Sequence, residues 1–277
     1  MRISRRSFVA AGFVLPSLAA GKTGGLKLGV TDWNLRLRGK PEALALGARI
    51  GFQGVELSLV PAGDSGKLEL EDNALLERYA SESKRLGIAI AGTALTECNR
   101  VCMASEKRAQ QWLGAAIPIT ARLDARVILI PFFSQCELKQ ASQIDSVVSI
   151  LKEHAPAAER AGVRLGLENY LSAAENAKIM DRVGSRAVLV YYDLKNAFDS
   201  GHDPYAELRW LTAKRICQIH LKDKAYLGQG VIDYVKGMKI IQEIGYRGFA
   251  NLETTSPSGS VENDMRRNLD YIRGLLG

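Results

Sequence analysis

The sequence predicts an α/β fold, a (β/α)8 TIM barrel. Three observations carry that reading. Eight strand-like runs alternate with eight helix-like runs over roughly 250 residues, the size and order of such a barrel. The last four strand-like runs each close on a polar side chain able to ligate a metal: Glu168, Asp193, His220 and Glu253. The turn after the first strand, Gly-Val-Thr-Asp-Trp-Asn, is not the glycine-rich phosphate loop that an open doubly wound sheet usually carries there.

The elements follow in order. The first strand reads as Leu26 to Trp33 and the first helix as Pro41 to Ile50, with Gly51 as its stop signal. Val55 to Leu59 is the second strand, and the helix Asp72 to Leu86 ends at Gly87. After the third strand, Ile88 to Leu95, the stretch Ser105 to Leu123 has a helical period, with a kink expected at Pro118. The fourth strand, Val127 to Phe133, is almost continuously apolar, as a strand buried on both faces should be. A helix from Ala141 to Ala161, stopped by Gly162, leads to the fifth strand, whose run from Val163 closes on Glu168.

A short helix, Ala174 to Val183, and Gly184 precede the sixth strand, Ala187 to Asp193. Asp203-Pro204 supplies an N-cap and a first-turn proline for a helix to about Thr212. The seventh strand is Ile216 to Leu221, and Asp233 caps a helix ending at Gly245. The eighth strand, Phe249 to Glu253, is followed by a last helix, Val261 to Leu276.

A chain of 277 residues, 47% hydrophobic, can bury a large core. The formal charge of +7 and a pI near 9.2 invite a nucleic-acid reading. The 37 lysines and arginines are scattered, however, without long basic runs or interleaved aromatics, so a solvated basic surface is expected and no nucleic-acid partner. Four cysteines do not make a disulfide framework. Cys98 and Cys102 are placed to bond or share a metal, but buried or loop thiols are the expectation.

Ser4-Arg5-Arg6-Ser7-Phe8-Val9 is a twin-arginine pattern, followed by a weakly apolar run and the small residues Ala19 and Ala20. Residues 1–21 therefore read as a signal peptide and 22–277 as the barrel, with an exported, periplasmic product; a disordered basic tail is the alternative. The apolar run is too short for a permanent membrane anchor. Association with further copies of the chain stays open.

Inward positions of a barrel strand lie two apart. If Glu168 faces in, so does Gly166; Asp193 takes Tyr191 with it, His220 takes Gln218, and Glu253 takes Asn251. Each ligand is then the last inward residue of its strand, at similar height. Three carboxylates and an imidazole suit Mn²⁺, Mg²⁺, Co²⁺ or Zn²⁺, and against a divalent ion they sum to about −1. Singly, each has a blander account: a carboxylate at a strand end is most often solvated or capping, and a lone histidine is most often structural. Four in succession point to one metal site.

The chain resembles the xylose-isomerase-like TIM barrels, the sugar isomerase/epimerase superfamily. The resemblance rests on Leu167-Glu168-Asn169, Asp193-Leu194-Lys195-Asn196, His220-Leu221-Lys222-Asp223, Leu227-Gly228-Gln229-Gly230 with Ile232-Asp233, and Leu252-Glu253. It implies one divalent ion, manganese above others, on Glu168, Asp193, His220 and Glu253, with Glu168 and Glu253 as the acid/base pair. It also implies substrate roles for Glu56 and Lys222; Asn196 is expected beside them at the substrate, and Glu56 is expected either to hydrogen-bond a hydroxyl or only to balance a nearby base. Where epimerases of free ketoses carry a histidine this chain has Asn196, and the arginine they carry beyond the metal-binding histidine is missing around Ala225 and Tyr226.

The residue chemistry points the same way. Removing a proton next to a carbonyl leaves an enediolate, which a divalent ion stabilises by on the order of several kcal/mol. Two carboxylates on either side of the substrate can remove and return protons, each step worth roughly 10²–10⁴-fold. Lys222 is expected to hold a hydroxyl or phosphate or to pair with a carboxylate, and Trp33 to wall the sugar or fill the barrel mouth. His202 is expected in an exposed loop and His154 away from any chemistry.

Several functions use such a site. The first is isomerisation or epimerisation of a carbohydrate. The second shares the proton abstraction but expels a β-leaving group, as a lyase on a 3-keto-glycoside or a dehydratase on a keto-inositol. A three-zinc abasic-site nuclease needs many histidines, and this chain has three. A sugar-binding barrel without turnover is the non-enzyme alternative.

Overall fold

The computed structural model describes residues 25–63 and 66–277; the expected signal peptide, residues 1–21, lies outside them. Eight parallel strands close a barrel in sequence order: β1 Lys27–Thr31, β2 Gly54–Ser58, β3 Ala89–Ala94, β4 Val127–Pro131, β5 Arg164–Glu168, β6 Val188–Asp193, β7 Ile216–Leu221 and β8 Phe249–Leu252. Strand β8 pairs with β1, so no edge is left open.

Between the strands run α1 Glu42–Ile50, α2 Asn73–Leu86, α3 Lys107–Arg122, α4 Ala141–Ala161, α5 Ala173–Val183, α6 Leu194–Asp199, α7 Pro204–Arg215 and α8 Tyr234–Glu243, with α9 Val261–Leu276 last. Their ends obey the expected signals. Asp72 accepts from Ala74 N at the start of α2, and Ser172 with Glu175 forms a capping box on α5. Gly162 closes α4 at φ +67, a left-handed conformation that a side chain disfavours. Pro118 lies inside α3, which continues through it to Arg122.

Apart from bulges on β3 and β7, the strands alternate. Val30, Val55, Leu57, Ile128, Ile130, Leu165, Leu167, Ile219 and Leu252 point outward into the core shared with the helices. Each such side chain contributes roughly 1.5–3 kcal/mol on burial. Ala94, Val127, Leu129 and Tyr191 form a separate apolar cluster inside the barrel, joined by Trp33 and Cys217.

Two features depart from the expected layout. A short helix, α6, follows Asp193 directly, because the Asp193 carboxylate caps it: Oδ1 accepts from Lys195 N at 2.7 Å and Asn196 N at 3.0 Å. The first strand stops at Thr31 and not at Trp33. The buried Asp32 carboxylate accepts from Gly39 N at 3.0 Å, Ser58 N at 2.8 Å and Ser58 Oγ at 2.6 Å, which folds residues 33–38 back over the barrel mouth.

Candidate metal centre

The four ligand candidates converge at the C-terminal end of the barrel. Glu168, Asp193, His220 and Glu253 offer ligand atoms that all lie within 4.8 Å of one another. Alignment of Asp193 with His220 depends on a bulge. Val190 pairs with Ile216, but Tyr191 pairs with Gln218, so Cys217 is an extra residue on β7. Without it Asp193 would stand opposite the outward-facing Ile219; with it, Asp193 and His220 are register partners.

The similar heights expected from sequence give way to a stagger. Glu253 lies two residues beyond Asn251, the partner of His220, and Glu168 follows Leu167, the partner of Val190. A closed barrel imposes such steps, since its strands tilt across the axis.

His220 is fully buried and faces two ways. Its Nδ1 lies 3.1 Å from Glu168 Oε1 and 3.5 Å from Glu253 Oε2, toward the cluster. Its Nε2 lies 2.9 Å from Glu56 Oε2 on the other side. Burial alone would disfavour the imidazolium, but Glu168, Glu253 and Glu56 outweigh it and hold the ring proton affinity well above the ordinary value. Burial raises the Glu168 carboxyl and pushes Asp193 up to about 7. Burial also acts to raise Glu253, but His220, Lys222 and the Trp33 indole overcome it and hold that carboxyl down.

The residues present fit a divalent cation. Asp193 spends Oδ1 on the α6 cap, and its Oδ2 is buried with no hydrogen-bond donor, a costly state for a carboxylate oxygen. Three carboxylates in contact distance of one imidazole are a hard, negatively charged donor set that a cation would relieve.

The other expected residues all reach this region. Trp33 Nε1 donates to Glu253 Oε1 at 3.1 Å, and its ring meets His220 edge-on at 6.0 Å. Asn196 Nδ2 donates to Glu168 Oε1 at 3.1 Å. Lys222 Nζ lies 3.0 Å from Glu253 Oε2, 3.8 Å from Asp193 Oδ2 and 3.4 Å from Asn196 Oδ1. Glu56 takes the second of its two expected places, against a base. It has no exposed surface, lying behind His220, where it also accepts from Tyr191 Oη at 2.9 Å. Tyr191 in turn accepts from Asn251 Nδ2 at 2.8 Å. These side chains form the floor of the site, so Glu56 meets the imidazole and not a ligand. His202 is in a loop, its Nε2 3.2 Å from the Tyr170 carbonyl oxygen. His154 sits in α4, away from the cluster.

Above the floor opens a cavity of about 620 Å³, lined by Glu168, Lys222 and Glu253 on one side. The opposite wall, from loops after β3 and β4, carries Glu97, Arg100, Phe133 and Gln135. Sequence reasoning did not single out these wall residues; their one signal was position, just past the ends of strands. A Cys102–Cys136 disulfide ties the two loops together. This corrects the expectation of unpaired thiols and of a Cys98–Cys102 relationship: Cys98 is free and buried, and Cys102 finds its partner on the neighbouring loop.

Fold and site together define a class: a (β/α)8 barrel with one cluster of three carboxylates and a histidine at the ends of its last four strands. The chain belongs to the xylose isomerase-like TIM barrel family, whose model matches residues 44–275. No curated protein matches its sequence. Among solved structures, an L-ribulose 3-epimerase superposes with a TM-score of 0.74 at 19% identity, covering 91% of this chain and 94% of its own. A sugar phosphate isomerase/epimerase from Parabacteroides distasonis gives 0.70 at 18% identity, covering 93% and 98%. A 3-keto-D-glucoside 4-epimerase from E. coli gives 0.73 at 14%, covering 90% and 99%. The neighbours are thus sugar epimerases and isomerases. Among the described residues, no helix is long and apolar enough to cross a membrane.

Proposed function

We propose that the protein is a divalent-metal-dependent isomerase or epimerase of a sugar or keto-sugar, with manganese as the resident ion, exported through the twin-arginine route. The observation that carries this is the facing pair Glu168 and Glu253, both within reach of His220 Nδ1 at the mouth of the barrel. The sugar-acting neighbours and the family support it, and the Cys102–Cys136 bond suits an oxidising compartment.

Glu168, Asp193, His220 and Glu253 would hold the ion, which supplies Lewis-acid charge to substrate oxygens. The chain's own groups do the rest. Glu253 is the more accessible carboxylate, 19% exposed against 5% for Glu168, and Lys222 and Trp33 keep it ionised and oriented. We assign it proton removal from the carbon next to the carbonyl. Glu168, beside Glu253 at the same edge of the imidazole and steadied by Asn196, returns a proton to the opposite face of the substrate. Lys222, about one third exposed, can donate to a substrate oxygen while balancing the carboxylates.

A lyase or dehydratase shares the first half of this chemistry, and the departures at Asn196 and near Ala225 favour keeping it as the second reading. The test is solvent deuterium exchange into a panel of ketoses and keto-glycosides, with product analysis by NMR. Exchange that disappears in Glu253→Gln, with the fold retained, supports the assignment; unchanged exchange sinks it. An epimer among the products selects the first reading, and an unsaturated product selects the second.

A further inference from the structure

We infer that the cavity is shaped for a two-ring substrate, a keto-sugar joined to a second hexose, whose second ring lies on the Phe133–Tyr170 face. The inference rests on the sugar-isomerase reading above and specifies the substrate class. One hexose occupies on the order of 200 Å³ at interior packing density. Seated over Glu168 and Glu253, it would leave most of the 620 Å³ cavity unfilled.

The remaining space is bounded by two aromatic rings. Phe133 and Tyr170 meet edge-to-face with centroids 4.7 Å apart, and Tyr170 is 39% exposed. Exposed aromatic surface beside a polar centre is the usual lining of a small-molecule site. Tyr170 also borders a second hollow, of about 510 Å³, edged by Glu137, Asp199 and Ser200. An apolar face flanked by hydrogen-bonding groups matches a sugar ring, whose C–H faces are apolar and whose rim is hydroxylated. A purely aromatic second group would have no use for that rim.

The cations around the mouth are already engaged by carboxylates. Arg38 donates to Thr96 Oγ1 at 2.8 Å and pairs with Glu97 at 2.5 Å, and Arg100 lies 4.0 Å from the same carboxylate. Lys222 is held by Glu253. The wall is also fixed before a ligand arrives: Phe133 N donates to Asn99 Oδ1 at 3.2 Å, and the Cys102–Cys136 bond joins the loops beneath it. A rigid wall lowers the ordering cost of binding.

The test is calorimetric titration of the manganese-loaded full chain with methyl α- and β-D-glucoside, maltose, cellobiose and 4-nitrophenyl β-D-glucoside. At least one disaccharide should bind about tenfold more tightly than the methyl glucoside of the same anomer, the size of one good aromatic contact. That ratio should collapse toward one in Phe133→Ala and Tyr170→Ala, with Tyr170→Leu as a milder second change and metal stoichiometry as the folding control. Equal affinities, no binding of any probe, a ratio that survives the substitutions, or a preference for the nitrophenyl glycoside overturns the inference. Disaccharide preference without proton exchange on any ketose would leave the subsite standing and remove the catalytic reading; exchange without the preference would do the reverse.

Discussion

Glu56 Oε2 lies 2.9 Å from His220 Nε2, on the far side of the imidazole from Glu168 and Glu253. The pair fixes the ring so that Nδ1 is the nitrogen offered to an ion, and a carboxylate behind a histidine also raises its basicity as a ligand. Glu56→Gln removes the charge with little change of shape. Metal affinity, read by chelator competition, should fall about 10–100-fold. An unchanged affinity would mean that the imidazole is oriented by its other neighbours.

Ion binding should be steeply pH-dependent. Burial pushes Asp193 up to about 7 and Glu168 in the same direction, and the surrounding carboxylates keep His220 protonated. A cation needs both carboxylates ionised and His220 Nδ1 free of its proton. The free protein therefore holds protons below about pH 7 that the loaded protein must release, so affinity rises as pH increases through that value and falls below it. The expected slope is on the order of tenfold per pH unit for each proton displaced. Titrations across this range that give a flat profile would contradict the cause assigned here.

Gly29 on β1 leaves room for the floor of the site. A Cβ there would come within 2.1 Å of Asn251 Oδ1, whose side chain is fully buried and bonded to Tyr191. Gly29→Ala should destabilise the fold by about 1–3 kcal/mol, measured by urea unfolding. It should also weaken metal binding, because Asn251 and Tyr191 can yield only by disturbing Glu56.

Removing the Cys102–Cys136 bond should cost stability in proportion to the loop it closes. With the partners 34 positions apart, loop-closure entropy gives about 3–4 kcal/mol, and measured losses commonly fall near 2–4. A Cys102→Ser, Cys136→Ser chain compared with the parent by denaturant melts checks this. Equal midpoints would show that the barrel alone holds both loops.

Much of the architecture was legible because its signals are local. Helices α4 and α9 and strand β7 run between the residues expected, since glycine stops, N-caps and alternation all act within a few residues of the boundary. The four candidate ligands are legible because each lies at or within one residue of a strand end, and the inward companions Tyr191, Gln218 and Asn251 follow from the two-residue period. Helix α6 was missed because six residues carry no period, and because Asp193 was read as a ligand when it is also a cap. For Glu56 the sequence leaves a hydroxyl and a nearby base both open, because nothing local to β2 shows that His220, 164 residues away, lies against it. Cys136 was missed as a partner for the same reason: only closure of β3 beside β4 brings its loop to Cys102.

The ligands come from β5 to β8, whereas the far wall of the cavity comes from loops after β3 and β4. The two halves of the barrel are therefore separate targets of natural variation. On the proposed reading, changes in residues 96–100 or 133–135 would alter which molecules enter and leave Glu168, Asp193, His220, Glu253 and Glu56 untouched. A chain built this way could exchange one carbohydrate for another by rewriting two tethered loops, with the proposed proton chemistry kept.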